Sequence, residues 1–268
     1  MSSTTSDPDP IDLPGLQAWL SACRQRLNTP PAVPRTALML DGQAIGSLHP
    51  DLLADRARFW PPDGDPTGAL ERWAEHLRAT RRCGVWRGER VAVKSADGVS
   101  LAAVERGAVR VLGIGTEAVH LVGRTPEGRV WLQQRAFDKP NDPGLWDTLV
   151  GGLVAHGETL AETLQRETWE EAGLRPHDLT DMQAGGAFDV GKPSEDGGGL
   201  GHMVETIHWF TAVLPPGLAP VNQDGEVERF EALEPDAVQA RVLAGECTDE
   251  AAWVLALALA WPLPVSGQ

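Results

Sequence analysis

The sequence predicts an α+β fold built in two successive units. Three observations carry that prediction: segments with apolar residues at helical spacing, short strand-like runs paired around turn dipeptides, and a length of 268 residues. That length is long for one domain and comfortable for two.

In chain order, Leu16, Leu20, Cys23 and Leu27 recur at helical spacing before the stop Pro30-Pro31, which predicts a helix over 14–27. Residues 36–40 and 43–48 flank Asp41-Gly42, a dipeptide that favours a tight hairpin turn. Within 68–82, Leu70, Trp73, Ala74 and Leu77 share one face, the mark of an amphipathic helix. Residues 85–94 and 99–104 read as strands around the turn 95–98. The segment up to Gly115 is thus a small α+β unit in which no catalytic constellation is evident.

From Glu117 a second unit begins, with strands over 118–124 and 129–134 around the turn 125–128. The loop 135–143 carries Arg135 and Lys139, and 145–150 lead into a glycine pair. Farther on, strands are expected at 183–190 and 202–214. Between them, 192–201 holds four glycines and reads as a flexible loop, in the sharper reading a substrate lid. Helices are expected at 235–243 and 249–260.

Composition narrows the class. A formal charge of −15 argues against nonspecific nucleic-acid binding and against docking on an acidic membrane, so an anionic substrate needs a local basic pocket or a metal. The three cysteines, Cys23, Cys83 and Cys247, show no metal-ligand spacing and read as reduced thiols of a cytoplasmic protein. Residues 1–10 read as a short disordered tail without the features of a signal peptide. The apolar run 251–261 is too short to span a bilayer.

The most informative stretch is 151–174, GGLVAHGETLAETLQRETWEEAGL. Residues three and four apart on a helix lie on one face, so Glu167, Glu170 and Glu171 concentrate negative charge. Such pairs oppose an isolated helix, and a hard divalent cation such as Mg²⁺, held by carboxylates and substrate phosphates, would compensate them. Thr159 with Glu162 three residues on forms a candidate capping box, and Gly173 stands where a left-handed helix end is common.

From Gly152 five residues lead to Glu158 and seven more to Arg166, followed directly by Glu167, Glu170, Glu171 and Gly173. This register resembles the Nudix box of the Nudix hydrolases at every charged and glycine position. Thr168 departs from the usual aliphatic residue, which bears on packing. The resemblance implies an α/β/α sandwich with a mixed sheet. It also implies Mg²⁺, or Mn²⁺ as a substitute, held by Glu167, Glu170 and Glu171 with a backbone carbonyl at Gly151 or Gly152. Glu158 and Arg166 are then a salt bridge fixing the loop to the helix.

A second, less specific resemblance covers the first unit. LMLDGQAIGSLHPDLL, GVWRGERVAVKSADG and ERGAVRVLGIGTEAVHLVG are similar to the domain preceding the Nudix domain in a subgroup related to the fungal Nudix–thiamine pyrophosphokinase fusions. That likeness implies a basic substrate-gripping residue at Lys139, with Arg135 beside it, and a further glutamate at Glu226 in NQDGEVERFE. Glu228 competes with Glu226 because strand alternation puts both on one face.

The expected organisation is a tail (1–10), an N-terminal α+β domain (11–115) and a Nudix domain (116–264). The expected function, implied by the two resemblances, is metal-dependent hydrolysis of a small-molecule diphosphate, thiamine diphosphate or its oxidised analogues, to the monophosphate and phosphate. Glu167, Glu170, Glu171 and Glu226 are the catalytic candidates, with either Glu167 or Glu226 as base. Nucleotide sugars and other nucleoside diphosphate derivatives are the main alternative. An isopentenyl diphosphate isomerase ranks lower because no cysteine stands early in the second unit. A non-enzymatic regulator ranks lower because the box is intact and the chain acidic. Neither nucleic acid nor membrane is expected as a partner, and a homodimer is left open.

Overall fold

The computed structural model describes residues 13–62 and 64–264, so the tail expected at 1–10 lies outside the described residues. Helix α1 (Leu13–Leu27) leads to the hairpin β1 (Thr36–Leu40) and β2 (Gln43–Leu48). Then come α2 (Leu53–Phe59), α3 (Pro66–Ala79) and a second hairpin, β3 (Arg90–Lys94) and β4 (Ser100–Glu105). At the first turn Asp41 and Gly42 both take positive φ, 48° and 80°, which matches the twist of the flanking strands. Asp65 caps α3 by accepting the Gly68 N–H at 2.9 Å, with Pro66 in the first turn.

The expected face of α3, Leu70, Trp73, Ala74 and Leu77, is buried against the two hairpins in a core that includes Leu38, Leu48, Val91, Val93 and Val104. Helix α2 buries none of its own residues, so it left no apolar period to read. Strand β3 starts at Arg90, five residues later than expected, because the 85–89 stretch is drawn into a turn by Glu105, described below.

The second unit runs through β5 (Thr116–Arg124), β6 (Val130–Arg135), β7 (Trp146–Asp147), β8 (Val150–Leu153) and α4 (Leu160–Ala172). It continues with β9 (Thr180–Ser194), α5 (Asp196–Gly199), β10 (Gly201–Val213), β11 (Val227–Leu233), α6 (Pro235–Leu243) and α7 (Asp249–Ala258). The seven strands form one sheet in the order β11-β6-β5-β10-β9, with β7 on β6 and β8 on β5. The β5–β10 pair is parallel and the others are antiparallel, so the sheet is mixed.

Alternation along β5 divides two cores. Val119 and Leu121 face Leu164 and Ala172 of α4, while Ala118 and Val122 face α1, α6 and α7 through residues such as Leu16, Leu20, Val238, Val254 and Leu255. The result is the expected α/β/α sandwich. Helix α1 shares its core with the second unit rather than with the hairpins that follow it, packing on α7 and β9.

The glycine-rich connection is shorter than expected. Strands β9 and β10 pair as far as Ser194 and Gly201, and α5 turns the chain against the first unit, where Asp196 faces Arg110 at 3.8 Å. A Cβ on Gly197 would lie 2.7 Å from the Arg82 carbonyl, so the turn is wedged against that backbone rather than poised as a lid. Cys23, Cys83 and Cys247 are free thiols, and no described helix is long and apolar enough to cross a membrane.

Candidate active site

Helix α4 is built by its sequence at both ends. Thr159 and Glu162 close the capping box, the Thr159 N–H donating to the Glu162 carboxylate at 2.8 Å, and Gly173 ends the helix at φ 63°. The unusual Thr168 is fully buried, and its hydroxyl donates to the Leu164 carbonyl one turn back. A polar side chain thereby fits an apolar position with its donor satisfied.

Arg166 organises the acidic face. It grips Glu158 with two bonds, Nε to Oε1 at 2.8 Å and Nη2 to Oε2 at 2.9 Å, and also donates to the Leu153 carbonyl at 3.1 Å. Its remaining nitrogen reaches Glu167 at 2.7 Å and Glu170 at 3.0 Å. The Arg166 bond holds the Glu158 carboxyl below its ordinary range, and Glu158 holds the Arg166 guanidinium charged.

The third helix carboxylate is separated from these two. Glu171 is fully buried and accepts the Gly151 N–H and the Gln133 amide, each at 2.9 Å. Burial pushes its carboxyl up to about 8 and that of Glu167 up to about 7, against the pull of Lys139 on the first and Arg166 on the second. Lys139 lies 3.8 Å from Glu171 and 2.5 Å from Glu226. Burial raises the Glu226 carboxyl, but the Lys139 contact outweighs it and the net shift is downward.

Glu167 and Glu170 are therefore bridged by Arg166, and Glu171 and Glu226 by Lys139. Among the described residues no three His, Cys, Asp or Glu side chains converge as a metal-ligand group. Like charges this close part toward whatever cations are at hand, and here those are side chains.

Glu167, Glu170, Glu226, Gly151 and Gly152 line a cleft of about 330 Å³ together with Arg135, Lys139 and Arg166, while Glu171 stands behind its wall. A Cβ at Gly152 would lie 2.0 Å from the Glu167 carboxyl carbon, so only glycine lets that carboxyl lie against the β8 backbone. Carboxylate oxygens round a cleft, with burial disfavouring the anion of Glu167, are a donor set suited to a hard divalent cation. Glu167, Glu170 and Glu226 are the carboxylates that could supply such oxygens, with the Gly152 backbone beside them in the cleft lining.

Arg135 lines the cleft but is committed, donating to Asp147 at 3.3 Å and to the Asn141 carbonyl at 3.1 Å. Glu228 is excluded by a bulge at Val227/Arg229 that breaks the alternation expected to bring it beside Glu226. Trp146 is buried under Arg241, 3.9 Å from its ring centre, and Trp209 packs over Gly185, so neither presents a stacking face to the cleft.

Several lining residues were not read from the sequence. His120 on β5 meets the Thr148 hydroxyl at 2.9 Å and stands 3.6 Å from Asp147. Glu205 on β10 is buried and accepts from Thr116 at 2.9 Å. Arg87, Arg106 and Arg110 come from the first unit. The strand positions carry no motif, and the only signal of Arg87 and Arg106 is their place beside glycines in WRGER and ERGAVR, while Arg110 has none.

Residues 116–252 match the NUDIX domain model, and the chain belongs to that family. It is 32% identical over 131 residues to Nudix hydrolase 24, chloroplastic, of Arabidopsis thaliana, covering 47% of this chain and 34% of that protein. It is also 32% identical over 134 residues to Nudix hydrolase 20, chloroplastic, of the same plant, covering 48% and 34%. The match thus spans about a third of the length of these relatives. A solved chain from Deinococcus radiodurans is similar at 23% identity and a TM-score of 0.49, over 62% of this chain and 97% of that one.

Proposed function

We propose that the chain is a pyrophosphohydrolase that cleaves a diphosphate linkage in a small molecule with the help of Mg²⁺ or Mn²⁺. The observation that carries this reading is the cleft wall itself: Glu167 and Glu170 on α4, Gly152 on β8 and the Lys139–Glu226 pair face one space. Membership of the Nudix family supports the same class.

A cation held by Glu167, Glu170 and Glu226 beside the Gly152 backbone would supply positive charge for the diphosphate oxygens and a more acidic bound water. The chain's own residues supply the rest. Arg166 holds Glu167 and Glu170 at fixed positions, and the Glu158 fork holds Arg166. Gln133 and the Gly151 N–H orient Glu171 behind the wall. Lys139 is placed to trade its Glu226 contact for a phosphate oxygen, which frees Glu226 to accept a proton.

For the substrate we infer thiamine diphosphate or an oxidised analogue, released as the monophosphate. This finer reading rests on the likeness of the first unit to the domain found with thiamine pyrophosphokinase. A screen with Mg²⁺ over thiamine diphosphate, its oxidised analogues, ADP-ribose and nucleotide sugars, read by chromatographic separation of the phosphomonoester products, tests both levels, with Glu170→Gln as blank. Cleavage of thiamine compounds is expected. Turnover of nucleotide derivatives alone removes the thiamine reading, and no turnover above the blank removes the hydrolase.

A further inference from the structure

The cleft is not made by the NUDIX-matching segment alone. Its far side is lined by Arg87, Glu89, Arg106 and Arg110, all N-terminal to residue 116. We propose that Arg87 and Arg106 form a phosphate-gripping jaw, by which the first unit holds the anionic end of the substrate against α4. The inference rests on the diphosphate reading above.

The cations on the α4 side are already engaged. Arg166 is shared among three carboxylates, Lys139 between two, and Arg135 is bonded to Asp147. By contrast, the Arg87 guanidinium has no hydrogen bond or ion pair among the described residues, although the residue's backbone N–H is bonded. Arg106 has one partner, Glu89 at 2.8 Å, which leaves donors of its five-hydrogen fork unused.

Arg87 and Arg106 line the same cleft as Glu167, Glu170 and Glu226. A phosphate entering between the walls meets guanidinium forks whose planar geometry matches its oxygens.

The two arginines also sit on a rigid support. Buried Glu105 accepts three backbone N–H groups on one oxygen, from Arg87 at 2.8 Å, Gly88 at 3.2 Å and Gly107 at 3.3 Å. The Gly84 N–H donates to the Gly107 carbonyl at 2.8 Å, and the Arg106 N–H to the Glu89 carbonyl at 2.8 Å. A Cβ on Gly107 would lie 2.6 Å from the Val85 carbonyl, so the turns meet backbone to backbone. The backbone that carries both forks is thereby fixed before a ligand binds, so only side-chain freedom is lost.

The test uses the full chain with imidodiphosphate, an uncleavable diphosphate, as the probe in titration calorimetry, beside steady-state kinetics on whichever compound the screen turns over. Arg87→Gln and Arg106→Gln are each expected to weaken imidodiphosphate binding about tenfold, the loss of one charge-assisted contact. KM should rise by a similar factor while kcat stays within about threefold, as for an interaction made equally in ground and transition states. Arg87→Lys should recover part of the loss, and thermal midpoints should match the parent's.

Binding and KM within about twofold of the parent in both Gln variants would overturn the jaw while leaving the hydrolase intact. A parent that binds imidodiphosphate but cleaves nothing in the screen sinks the hydrolase and leaves the jaw to the calorimetric comparison. A parent that binds no imidodiphosphate overturns the jaw, while the hydrolase stands or falls on turnover in the screen.

Discussion

Two regions face each other across the cleft, and they hold their charged groups in different ways. On 151–174, one helix with its preceding strand carries the groups, and partners lie within a few turns of each other: Arg166 with Glu158, Glu167 and Glu170. On 84–110, the groups stand on two turns brought together by a single buried carboxylate, Glu105, from the end of β4. The first region concentrates negative charge and the second offers uncommitted positive charge. Substitutions in the first should therefore act on the chemical step, and substitutions in the second on affinity for the substrate.

The sharpest division is expected from Glu170→Gln. It removes a cleft-facing carboxylate that contributes little to packing, and kcat should fall on the order of a hundredfold or more with the thermal midpoint unchanged. Chelation should abolish turnover of the parent, and Mg²⁺ or Mn²⁺ should restore it. A Glu170→Gln protein with parental kcat would end the assignment of the chemical step to α4.

Gly152→Ala should come next. Its Cβ meets the Glu167 carboxyl carbon at 2.0 Å, so the carboxyl must move, and a shift of that size can reduce kcat by up to about a hundredfold. Circular dichroism would check that the fold survives.

Arg166→Ala strips Glu158, Glu167 and Glu170 of their common partner. Half-buried carboxylates left together should lower stability by about 2 kcal/mol, read from urea denaturation. Glu105→Ala tests the opposite wall. It leaves three backbone donors unpaired, for a loss of about 1–2 kcal/mol in the same assay, and frees both arginine-bearing turns. Here KM should rise more than kcat falls; the reverse pattern would erase the contrast between the two regions. The smallest effect, about 1 kcal/mol of stability, is expected from Thr159→Ala at the α4 cap, with kcat and KM unmoved.

Much of the fold was legible because its signals are local. The Asp41-Gly42 hairpin, the buried face of α3 and the capping box of α4 each depend on residues at most a few turns apart, and each formed where expected. The misreadings share the opposite cause. Residues 85–89 have strand-like composition, yet Glu105, seventeen and eighteen positions on, captures the N–H groups of Gly88 and Arg87. Residues 195–200 look flexible, yet they are seated against the first unit. Glu228 obeys strand alternation only until a bulge in its pairing with β6 removes it.

The same boundary runs through the candidate site. The sequence by itself determined the helix, its caps and the placing of Glu167 and Glu170 on one face, because helical geometry converts spacing into position, and the likeness to the Nudix box implied the Glu158–Arg166 tie. Only the tertiary structure decided that Glu171 turns inward to Gln133 and Gly151, that Lys139 bridges it to Glu226, and that Arg87 and Arg106 close the cleft. Those meetings join residues dozens of positions apart. Spacing along a chain says nothing of such contacts until burial of the surrounding apolar residues has chosen which surfaces face each other.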